Sequence, residues 1–154
     1  TGLPTGDHDM PEPWWKFREA MVSAPAIHVS RFVAAGCLRP LQAATANAYD
    51  APFPEPSFHA GPRVMPTLVP TRPDDPASEA NRAAWAVLTT WERPFLVAFS
   101  DGDPITGAMA PILRSSIPGA KRLDHPVIEG AGHFLQEDAG LRLGQVVAEF
   151  VGST

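Results

Sequence analysis

The 154-residue chain contains one cysteine, one tyrosine, no cluster of basic residues and no long apolar run. Cys37 has no second cysteine to pair with, and no neighbour stands at metal-ligand spacing from it. It closes the run Phe32-Val33-Ala34-Ala35-Gly36-Cys37, where a small buried side chain is the expected role. No metal and no cofactor is expected, and a reducing, cytoplasmic setting is compatible with the single thiol. No apolar stretch approaches the ~18 residues of a membrane span, so no membrane partner is expected. A net charge of −5 without basic clustering likewise excludes a phosphate-tracking surface, so no nucleic acid is expected. The start, Thr1-Gly2-Leu3-Pro4, lacks an initiator Met, a charged segment and an apolar leader. It reads as a chain entered partway through.

What is present has two textures. Residues 1–75 are proline-punctuated, with short helical stretches and no strand signal. A helix is expected over Trp14 to Val22 after Pro13, a favourable first-turn residue. Ser30 is the expected N-cap of a short helix ending before Gly36, and Leu41 to Tyr49 forms another. Alternating prolines at 52, 54 and 56 forbid a helix interior, and Ser57 to Leu68 is helical with breaks near Pro62 and Pro66. Residues 76–154 read differently. Pro76 to Trp91 is an Ala-rich helix that Pro94 ends, with Trp85 and Trp91 as core or rim residues. Phe95-Leu96-Val97-Ala98-Phe99 is a strand buried on both faces, followed by the turn Ser100-Asp101-Gly102-Asp103-Pro104. A helix over Ala108 to Ser115, a short strand over Pro126 to Ile128, and a helix over Ala139 to Val151 complete the pattern.

Alternating helices and strands imply an α/β fold with parallel strands and right-handed crossovers. Two strands make no stable doubly wound sheet, so further strands are expected upstream of Thr1. Catalytic groups of open α/β sheets gather at the carboxyl ends of strands. Asp101 and Asp103 follow the first strand here, and His133 follows the second within Gly130-Ala131-Gly132-His133-Phe134. An imidazole can take a proton from water near neutral pH if a buried carboxylate orients it and stabilises its charged form. Acid first and base second is also the chain order of α/β-hydrolases. Asp103 is the expected acid, because it reaches farther over the strand end. Asp101 is expected to hold the turn through backbone amides.

These residues resemble the C-terminal part of haloalkane dehalogenases, α/β-hydrolases whose acid here follows the penultimate strand. The carriers are Pro94-Phe95-Leu96 leading into Asp101-Gly102-Asp103-Pro104-Ile105, and Gly130 through Asp138. The first texture resembles the helical cap of that family in Tyr49-Asp50-Ala51-Pro52-Phe53-Pro54, His59-Ala60-Gly61-Pro62-Arg63 and Pro66-Thr67-Leu68-Val69-Pro70. The resemblance implies a cap over 1–75 and the acid/base end of the core, with the last two parallel strands, over 76–154. It implies hydrolysis of a carbon–halogen bond through an alkyl–aspartate ester, with His133 activating water and Asp103 orienting His133. The partners implied are a small halogenated alkane, water and a halide ion, in a family whose members are usually monomeric. A cap indole N–H is implied as halide donor, Trp15 in preference to Trp14, with Met65, Pro66 and Val69 lining the substrate path.

Epoxide hydrolases share the fold but resemble one another in using a pair of cap tyrosines, and this chain has Tyr49 alone. An esterase stays open, because the nucleophile is not in view. The implied nucleophile would precede Thr1, so the 154 residues by themselves are expected to be inactive.

Overall fold

The computed structural model describes residues 3–154, which form two compact units. Thr1 and Gly2, the first residues of the expected cap segment, lie outside the described residues. One unit holds Leu3–Ala35 and Leu41–Ala83, and the other holds Gly36–Pro40 and Ala84–Thr154. The change of sequence texture at 75/76 therefore precedes the change of unit, which falls at 83/84 inside a helix. A five-residue strap, Gly36–Pro40, also leaves the first unit for the second.

The first unit is helical: α1 (Glu12–Ser23), α2 (Val29–Ala35), α3 (Ala43–Asp50), a 3-10 turn (Pro56–His59), α4 (Ala60–Val64), a second 3-10 turn (Met65–Leu68) and the start of α5 (Ser78–Leu88). Pro13 stands in the first turn of α1, where its missing N–H costs nothing. The Arg63 guanidinium donates to the carbonyls of Met21 and Val22, at 3.5 and 3.1 Å, and satisfies the end of that helix. Ser30 is not the N-cap expected. It lies inside α2, and its N–H and hydroxyl donate to the two oxygens of Asp50, at 2.9 and 2.7 Å. A carboxylate from the end of α3 thus takes over the capping task.

In the second unit α6 (Met109–Ser116) and α7 (Leu135–Ser153) flank two parallel strands, β1 (Phe99–Ser100) and β2 (Val127–Ile128), in register Phe99↔Val127 and Ser100↔Ile128. The apolar run before β1 feeds two cores by alternation. Phe95, Val97 and Phe99 pack with Leu113, Ile117 and Trp85, whereas Leu96 and Ala98 pack with Ile128 and Val146. Helices therefore cover both faces, as the continuous apolar run requires. Each Val or Ile fully buried in this way contributes roughly 1.5–3 kcal/mol.

The strand itself is shorter than expected. Phe95 N–H donates to Gly119 O at 3.3 Å and Val97 N–H to His125 Nδ1 at 3.2 Å, so a turn and a side chain stand where a neighbouring strand would pair. Helix α5 also stops early, at Leu88. The hydroxyls of Thr89 and Thr90 turn back onto Ala86 O and Val87 O there, well before Pro94. None of the described helices is long and apolar enough to cross a membrane.

Candidate active site

Parallel pairing puts the carboxyl ends of β1 and β2 side by side, so the loops after them meet. Gly130, at φ 68°, takes the left-handed turn that lets the chain leave β2. Its N–H and that of Ala131 donate to Asp101 Oδ1, at 2.9 and 3.4 Å. Gly102 N–H returns a bond to Ala131 O at 3.0 Å. Asp101 thus uses its carboxylate on backbone amides, across the loops and not within its own turn.

Asp103 stands one step further on. Its Oδ1 lies 3.0 Å from His133 Nδ1, with the Asp103 side chain 4% exposed and that of His133 27% exposed. The same oxygen accepts the N–H groups of Ile105 and Thr106, at 2.9 and 3.0 Å, while the Thr106 hydroxyl donates to Oδ2. Burial is the largest influence on this carboxyl and pushes it up. The Thr106 hydroxyl, the two N–H groups and His133 together outweigh burial and hold it below the usual carboxylate range. An ionised carboxylate can only accept, so Nδ1 carries the proton and donates it, which leaves the lone pair on Nε2. Nε2 takes none of the described hydrogen bonds. The imidazole rests edge-on against the Phe134 ring, 5.0 Å between centres. The arrangement is an oriented base with one nitrogen left for a substrate or water.

The other expected site residues belong to the helical unit. Trp14 is buried, at 6% exposure, while Trp15 is 41% exposed, and the two rings meet edge-on at 4.8 Å. The Arg18 guanidinium sits 5.7 Å from the centre of the Trp15 ring. Met65 is exposed, Pro66 buried and Val69 half-buried. Among the described residues no three of His, Cys, Asp and Glu stand together as a metal site. Burial is the main cause that raises the Cys37 thiol, with Asp138 and Glu137 adding to it, so it is held as a neutral thiol.

Three side chains around the pair were not singled out by the sequence. Thr106 grips Asp103, and its signal was readable in Asp103-Pro104-Ile105-Thr106, the spacing of a carboxylate that accepts from the residues after it. Ser100 and Asp138 bind backbone atoms, and nothing in their local sequence names those partners.

The chain matches no family model. It is 44% identical over 151 residues to a haloalkane dehalogenase of Psychrobacter cryohalolentis, covering 98% of this chain and 50% of that protein. It is also 44% identical over 143 residues to one of Mycobacterium marinum, covering 93% of this chain and 48% of that protein. Among solved structures, a tetrameric haloalkane dehalogenase from Paraglaciecola agarilytica superposes with a TM-score of 0.78 at 24% identity, over 90% of this chain and 46% of that one. That likeness speaks for the fold, and its tetramer departs from the expectation of monomeric relatives. The chain spans about half the length of the curated relatives it matches. By sequence and by fold it belongs to the haloalkane dehalogenases, within the α/β-hydrolase architecture.

Proposed function

We propose that these residues supply the acid/base end of an enzyme that hydrolyses small haloalkanes. The observation that carries the reading is the 3.0 Å contact between His133 Nδ1 and the buried Asp103 carboxylate at adjoining strand ends. An aspartate carboxylate, in the part of the relatives this chain does not match, attacks the carbon that bears the halogen. The C–O bond forms as the C–halogen bond breaks, and the halide leaves with the electron pair. His133 Nε2 then takes a proton from water as the water oxygen adds to the ester carbonyl carbon. The acyl C–O bond of the ester breaks, and the departing alkoxide takes the proton of the newly added hydroxyl and leaves as the alcohol. The aspartate is restored, and the imidazolium, stabilised by Asp103, gives up its proton.

In this reading residues 1–75 serve as cap, and Trp15, in preference to Trp14, donates an indole N–H to the halide. Met65, Pro66 and Val69 line the substrate path. The working partners are haloalkane, water and halide, in a cytoplasmic setting.

The test uses a chimera of this chain with the portion of the Psychrobacter cryohalolentis relative that it does not match. Halide release from 1-bromoalkanes is expected, with His133→Ala losing turnover by roughly 10⁴-fold or more and Asp103→Asn by a large part of that. Ester cleavage without halide release would sink the reading.

A further inference from the structure

Both polar groups of one backbone residue, Gly132, are held by side chains. Its N–H donates to Asp138 Oδ2 at 2.8 Å, and its carbonyl accepts the Ser100 hydroxyl at 2.7 Å. That carbonyl belongs to the planar peptide leading into His133, so fixing it fixes the position from which the imidazole springs. The backbone has little room to slip, because even a Cβ on Gly132 would come within 2.4 Å of Gly36 O.

Each holder is itself anchored. Ser100 ends β1, three residues before Asp103, so its hydroxyl ties the base loop to the strand that carries the acid. Asp138 lies in the first turn of α7 and is 5% exposed. Its Oδ2 also accepts the Leu38 N–H at 2.8 Å, and its Oδ1 accepts the Arg39 N–H at 2.8 Å. One carboxylate therefore joins α7, the 36–40 strap and the histidine loop. Burial is the largest influence on this carboxyl and raises it, but the N–H groups of Gly132, Leu38 and Arg39 outweigh burial and keep it below the usual range. It is ionised at neutral pH, and its three donors would be left unpaired without it.

We propose that Ser100 and Asp138 are positioning residues for His133, gripping Gly132 from its two sides so that the imidazole meets Asp103. This rests on the reading of His133 as the base that hydrolyses the ester. Neither side chain touches the reacting atoms; both act through the backbone. A displacement of about 1 Å at a reacting group can cost on the order of 100-fold in rate. Only the second half of the reaction uses the base. Loosening Gly132 therefore slows ester hydrolysis and leaves halide displacement alone.

The chimera described above gives the test, with Ser100→Ala, Ser100→Thr, Asp138→Asn and a His133→Ala reference. Ser100→Ala and Asp138→Asn are each expected to release a single-turnover burst of halide at the parent rate. Steady turnover then falls roughly 10- to 100-fold, with the alkylated protein visible by intact mass. Ser100→Thr keeps a hydroxyl and is expected to restore turnover to within a few-fold of the parent. Burst and turnover falling together in Ser100→Ala, or neither changing, would overturn the proposal. Ser100→Ala removes only about 1 kcal/mol of hydrogen bonding, so it decides the matter even if Asp138→Asn does not fold. A His133→Ala reference that accumulates no ester would instead refute the reading of His133, which keeps the two failures distinct.

Discussion

An indole can hold a halide only if its N–H reaches one, and the two neighbouring indoles of α1 differ in this respect. Trp14 is enclosed, whereas Trp15 is 41% exposed with a guanidinium beside its ring. A hydrogen bond to a charged partner contributes about 1.5–3 kcal/mol. Trp15→Phe in the chimera is therefore expected to weaken bromide binding by roughly ten-fold or more, read by quenching of fluorescence. Trp14→Ala is expected to act on stability instead, at about 3–5 kcal/mol for a buried aromatic. Bromide affinity that falls with Trp14→Phe and survives Trp15→Phe would reverse the assignment. The residues legible in sequence were those whose neighbours along the chain betray them. Asp103 and His133, whose side chains meet at 3.0 Å, each follow an apolar strand run. Asp138 was not legible, because its partners Leu38 and Arg39 lie 100 and 99 residues away and offer only backbone N–H groups. Every residue type but proline presents that donor, so side-chain identity carries no sign of it.

At the scale of elements, helices were easier to read than strands for a physical reason. A helix satisfies its backbone within one segment, so prolines, caps and the spacing of apolar residues mark it locally. A strand exists only where a neighbour pairs with it. The run from Phe95 to Phe99 has the composition of a strand, yet ladder pairing covers only Phe99 and Ser100. Helix caps can be non-local too, as α2 shows. Its Ser30 N–H and hydroxyl go to Asp50, whose carboxyl these bonds hold below the ordinary carboxylate value, the backbone N–H acting most strongly. A carboxyl lowered in the folded chain stabilises fully above its unfolded value of about 3.8 and loses that contribution as pH falls through the folded one. Asp50→Ala is therefore expected to cost about 1 kcal/mol near pH 7, in the range of lost caps. The difference from the parent should shrink as the pH is taken below 3.8. Urea midpoints at neutral and acidic pH check this, and a difference independent of pH would count against capping by the ionised form.

At the scale of the whole chain, the second unit has a sheet of two short strands, with helices on both faces to bury its side chains. Two-stranded pairing is at best marginal in water, and stability normally needs three or more strands with a covered face. Apolar side chains also stand open to solvent along α7 and β2: Leu141 is 82% exposed, Val151 68% and Val127 48%. The curated relatives are about twice as long as the stretch matched here. Completing the sheet should convert this exposed surface into core, at roughly 25 cal/mol per Å² of apolar area removed from water. The 154 residues alone are thus expected to unfold below the ~5–15 kcal/mol typical of domains, and the chimera to fall within it. The urea slope should rise as well, since it follows the surface exposed on unfolding. The same comparison bears on activity. The 154 residues alone should release no more halide from 1-bromoalkanes than their His133→Ala variant, because an oriented base has no ester to hydrolyse until a carboxylate has attacked carbon. Equal urea midpoints and slopes for chain and chimera would show that the two-stranded unit is self-sufficient. Halide release by the chain above that variant would place a nucleophile among these residues.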